Sequence, residues 1–71
     1  MVSGRRVIKA LTRAGFAVVG RRGSHVRLKR VTDRAYIVVV SDYKELARGT
    51  LLSIIPQAGL TREEFIFLLG K

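Results

Sequence analysis

The chain has no cysteine and no tryptophan, one proline, one histidine and five acidic side chains in 71 residues. Without cysteine there is no disulfide framework and no thiolate metal site. One histidine without a neighbouring carboxylate cannot supply the three or four ligands of a zinc site, so neither a metal nor a cofactor is expected. No apolar run approaches the roughly 20 residues of a membrane helix. Met1-Val2-Ser3 leads straight into a charged segment rather than the apolar core of a signal peptide. The expectation is a single domain over residues 1–71, cytoplasmic and without a membrane partner. A chain this short buries only about 60% of its unfolded surface. With 48% apolar residues, it is expected to gain stability from a partner or from self-association.

Basic side chains are the feature present in excess. Fourteen Lys and Arg against five acids give a formal net charge of +9. Residues 1–34 hold ten of the basic residues and one acid, whereas residues 35–71 hold four of each sign. A field concentrated on one half attracts a polyanion and speeds its arrival. Nucleic acid is the target this pattern favours; an acidic protein or an anionic membrane surface is also compatible with it.

Ser3 can cap a first helix. Val7, Ile8, Leu11 and Ala14 then fall on one helical face, and Gly15 suits the left-handed position that ends it. Phe16 to Val19 reads as a strand between two glycines, with Gly20 to Ser24 as its turn. From His25 the pattern alternates. Val26 and Leu28 share one face, while His25, Arg27 and Lys29 share the other. Thr32-Asp33 is a turn. Tyr36 to Val40 is a third strand whose nearly continuous apolar character predicts a central strand or one covered on both faces. Thr50 is expected to cap a second helix, kinked or shortened by Pro56 and ending before Gly59. Thr61-Arg62-Glu63-Glu64 matches a capping box. The apolar run Phe65 to Leu69 wraps a short final helix, and its surplus face predicts a protein-binding surface, a homodimer contact among the possibilities. The fold class expected is α+β: a three-stranded antiparallel meander with helices on one face, in the order α-β-β-β-α plus a short extra C-terminal helix.

Several short pieces then stand in a telling order: Lys9-Ala10-Leu11 with Gly15-Phe16, Gly23-Ser24-His25, Lys44-Glu45-Leu46, Arg48-Gly49-Thr50-Leu51, Gln57-Ala58-Gly59-Leu60 and Glu63-Glu64-Phe65. Together they resemble the HicA family, small mRNA interferases of type II toxin–antitoxin systems. The resemblance implies a fold similar to double-stranded RNA-binding domains, a ribonuclease acting on mRNA, and a HicB-type antitoxin that covers the active site. It also implies that His25, in Gly-Ser-His, is catalytic. The chain departs from the family pattern at two places. Val39-Val40-Ser41 stands where many relatives have Pro-x-His, so the second imidazole is replaced by Ser41 and slow turnover is expected. Pro56 stands where relatives usually carry a basic or polar residue.

Metal-free RNA cleavage requires deprotonation of a 2′-hydroxyl and stabilisation of charge on the phosphorane. An imidazole suits the first task near neutral pH. Arg22, Arg27 and Lys29 are candidates to hold the phosphate. Ser24 is a candidate to donate to it or to orient His25, and Gly23 lets the backbone approach the RNA. Arg5, Arg6, Lys9, Arg21 and Arg30 complete the expected RNA-binding basic face. Two other readings remain open on the sequence. One is a non-catalytic RNA-binding module of the same fold; the other is an interaction protein whose basic face docks an acidic partner.

Overall fold

A computed structural model describes residues 2–70 of the chain. The elements run α1 (Gly4–Arg13), β1 (Ala17–Arg22), β2 (His25–Val31), β3 (Ala35–Ser41), α2 (Arg48–Ala58) and α3 (Arg62–Gly70). The strands form one antiparallel sheet in the order β1-β2-β3. This is the α+β arrangement expected, with α1 and α2 packed on one face and α3 against α1.

Alternation decides which face is covered. Val26 and Leu28 on β2 pair across with Val40 and Val38 on β3. These four side chains are buried with Val7 and Leu11 of α1, Phe16, Leu46, Ile54 and Ala58 of α2, and Phe65 of α3. Burying each large aliphatic side chain contributes about 1.5–3 kcal/mol. Among the described residues no helix packs on the opposite face.

The local signals explain the ends of the elements. Ser3 caps α1, its hydroxyl accepting from the Arg6 N–H at 3.2 Å. Gly15 and Gly59 follow the first two helices with positive φ. Thr61 and Glu64 form the reciprocal capping box, with Thr61 N–H donating to Glu64 Oε1 at 2.8 Å and Glu64 N–H to Thr61 Oγ1 at 3.1 Å. Hydrogen bonding to the Glu64 carboxyl by Thr61, its backbone N–H foremost, holds that carboxyl below its ordinary pKa. In the β2–β3 turn the Thr32 hydroxyl does the same for Asp33.

Three sequence expectations need correction. First, β1 does not stop at Val19; it runs to Arg22, absorbing Gly20 at a register shift between Val18 and Gly20. Second, β3 is neither central nor doubly covered. It is an edge strand with Ile37 53% and Val39 45% exposed. An apolar run reads the same whether its second face meets a helix or solvent. Third, α2 is capped at Ala47 rather than Thr50, and no side chain caps it. Buried Leu46, whose N–H donates to the Val2 carbonyl at 2.9 Å, brings the chain into the helix earlier. As expected, α2 ends before Gly59, at Ala58, with Pro56 inside its last turn. Proline removes only the bond to the Leu52 carbonyl, in an exposed part of the helix, so the helix survives near its C-terminal end.

Candidate nucleic-acid interface

The Gly23-Ser24 pair is a two-residue hairpin, closed by the Arg22–His25 partners on either side. Gly23 has φ +60°, and among the described residues no non-glycine has positive φ. That is the pattern of a type II′ turn, glycine first, whose twist matches that of the strands it joins. The turn therefore delivers His25 as the first residue of β2. Its parity, opposite to that of buried Val26, sets it on the uncovered face, where it is exposed.

Cross-strand register arranges this face in rows. Arg22, His25 and Ser41 form the first row; Gly20, Arg27 and Val39 the second; Ala17, Lys29 and Ile37 the third. Directly opposed residues have Cβ atoms about 4.5–5.5 Å apart. The imidazole thus lies between a guanidinium and a hydroxyl, with a second guanidinium in the next row. A depression of about 430 Å³ opens here, lined by Gly20, Arg21, Arg22, His25, Arg27 and Val39. Gly20 makes room for it, since a Cβ at that position would meet nothing within 4 Å.

The histidine end of the sheet is tied down from three directions. The Asp42 N–H donates to the Ser24 carbonyl at 2.7 Å. The Arg21 guanidinium pairs with the Asp42 carboxylate, and its Nε donates to the Gly23 carbonyl at 3.4 Å. The start of α1 abuts the end of β3: Gly4 N–H donates to the Tyr43 carbonyl at 2.8 Å. A Cβ on Gly4 would lie 2.0 Å from the Ser41 carbonyl oxygen, so only glycine permits that approach.

Of the residues singled out in the sequence, Arg22, Gly23, Ser24, His25, Arg27 and Lys29 come together on or beside the open face. The wider footprint does not. Arg5, Arg6 and Lys9 lie on α1, in the helix layer. Arg6 donates to the Leu69 carbonyl at 2.9 Å, and Arg13 to the Leu68 carbonyl at 3.2 Å, so two α1 cations cap the last turn of α3. Arg21 borders the depression, but its guanidinium is engaged by Asp42. Arg30 is half-buried on the covered side, its guanidinium 5.2 Å from the Phe16 ring centroid and 5.3 Å from that of Tyr36. It also donates to the Ala14 carbonyl at 3.1 Å. Sequence reasoning missed Gly20 and Val39 as parts of the depression. It read Gly20 as turn and Val39 as core, although the parity opposite Arg27 carried the signal for Val39.

Among the described residues no three His, Cys, Asp or Glu side chains stand together as a metal site would need. No helix among them is long and apolar enough to cross a membrane.

The fold and this surface define a small α+β domain that presents one histidine among cations on an uncovered sheet. The chain belongs to the HicA toxin family: the family model described as HicA toxin of bacterial toxin-antitoxin matches residues 4–60. That span takes in α1, the whole sheet with His25, and α2. A search of curated proteins finds no match to the chain.

Proposed function

We propose that this toxin is a metal-independent endoribonuclease that cuts mRNA with His25 as general base. The observation that carries the reading is the position of His25 on the uncovered face, in register with Arg22 and one row from Arg27. The imidazole takes the proton of a 2′-hydroxyl, and that oxygen attacks the adjacent phosphorus. The bond to the 5′-oxygen breaks, leaving a 2′,3′-cyclic phosphate. Arg22 and Arg27 stabilise the charge that grows on the phosphoryl oxygens, and Lys29 holds the next phosphate along β2. The leaving 5′-oxygen takes its proton from water, because Ser41, opposite His25, does not titrate near neutrality. Turnover is accordingly slow.

A HicB-type antitoxin covering this face accounts for its apolar component. Val31, Ile37 and Val39 are exposed beside the cations. Aliphatic side chains offer RNA bases no stacking surface, whereas a protein partner with acidic and apolar residues satisfies both kinds of group.

The test is cleavage of a labelled mRNA by the purified protein in the presence of EDTA. His25→Ala is expected to lose about 10²–10⁴-fold in rate, as removal of a general base does, while retaining RNA affinity. A second reading, a non-catalytic RNA-binding module, is favoured by the absence of a second imidazole in the His25 row. Equal binding by both proteins with no cleavage by either would establish it in place of the nuclease.

A further inference from the structure

A second surface lies in the helix layer and shares no residue with the depression around His25. Its lining comes from α2 (Arg48, Leu51, Leu52, Ile55) and α3 (Arg62, Phe65, Ile66, Leu69). The lips are open: Leu52 is 39% and Ile66 59% exposed. Between them runs an apolar groove whose only charged lining residues are the two arginines. Neither is in an ion pair among the described residues. Arg48 also stands at the start of α2, whose N-cap, Ala47, supplies no side-chain acceptor and whose first turn contains no acid. The uncapped N–H groups add their partial positive charge to that end of the groove.

We propose that this groove docks an acidic amphipathic helix of a partner protein. Its apolar residues, spaced at i, i+3 or i+4 and i+7, would seat between α2 and α3, and its Glu or Asp flanks would meet Arg48 and Arg62. Charge decides against a second copy of the chain. A symmetric pairing through the groove would bring both sets of Arg48 and Arg62 together, in molecules that each carry +9. Shape decides against a membrane surface, which receives a convex apolar face rather than a groove. The proposal does not depend on whether His25 is catalytic.

The probe is a labelled helix-forming peptide with leucine at the anchor spacing and glutamate on both flanks, paired with a version carrying lysine for each glutamate. Fluorescence anisotropy with the full chain is expected to favour the glutamate peptide by at least about tenfold. Arg48→Glu combined with Arg62→Glu should reverse that preference. Both residues are exposed, and circular dichroism verifies that the double variant is folded. Saturating RNA should leave peptide binding unchanged, because the two surfaces are separate. The proposal fails if both peptides bind equally or neither binds. It also fails if anionic vesicles bind the chain through Ile66 while the peptide does not. Sedimentation that finds a dimer abolished by Ile66→Asp would assign the groove to a second copy and overturn it as well.

Discussion

Arg27 and Arg30 lie three residues apart on one strand and have opposite surroundings. Arg27 stands exposed on the open face, between Gly20 and Val39. Arg30 is held between two aromatic rings and the end of α1. The same contrast divides the two sides of the sheet. One is dry and built from Val26, Leu28, Val38 and Val40; the other mixes cations with exposed aliphatics. Formal charge is therefore a poor measure of the surface available to a polyanion. Arg6, Arg13, Arg21 and Arg30 are engaged with carbonyls, a carboxylate or rings, and the open face retains Arg22, Arg27 and Lys29 around His25.

The sharpest way to break the comparison is at adjacent residues of β2. Leu28→Ala is expected to cost about 2–5 kcal/mol, close to the whole stability of a domain this small. Lys29→Ala should stay within about 0.5 kcal/mol. Thermal or urea unfolding of the two variants measures the difference.

The arginine pair comes next. Arg30→Gln should cost about 1–3 kcal/mol in stability through lost ring and carbonyl contacts and leave RNA affinity unchanged. Arg27→Gln should leave the melting temperature unchanged and reduce the salt slope of RNA binding by about 0.7. For the unaltered protein that slope should lie near about −2, from three phosphate contacts, rather than near about −6, as the eight cations of the sequence-based footprint would give. A titration across salt concentrations decides between the two values.

A smaller effect is expected at Gly20. Gly20→Val has open space to fill and favours strand by up to about 1 kcal/mol. It should hold or raise the melting temperature while weakening RNA binding several-fold, since it occupies the depression beside His25.

The mildest effect is at the start of α3. The Glu64 carboxyl is held below its ordinary value of 4.5 by bonds from Thr61. Its folded-state pKa is thus lower than the unfolded one. The contribution is complete above the ordinary value and is lost as pH falls through the folded-state value. Amides of α3 should lose part of their protection, relative to the unfolded-chain exchange rate at the same pH, as pH falls through the folded-state value, while those of β2 keep theirs, and Glu64→Gln should remove that pH dependence.

Legibility followed the range of the interactions. The Ser3 cap, the Thr61–Glu64 box and the alternation along β2 were readable because each depends on neighbours within four residues. The cap of α2 was not, because Ala47 has no capping side chain and Leu46 fixes the helix start by packing. The place of Arg6 was invisible because its acceptor lies 63 residues away, and that of Arg30 because its rings and carbonyl come from separate elements. His25 was legible as a candidate because the glycine-serine turn before it and the alternation after it are both local.

Sequence alone determined the α+β class, the order of elements, the face on which His25 stands and the family to which the chain belongs. All of these follow from turn chemistry, periodicity and short motifs written along the chain. Only the tertiary structure decided which cations remain available and where the apolar surplus collects. Those outcomes depend on which carbonyls, rings and helix faces meet across long separations, and no local pattern encodes such meetings.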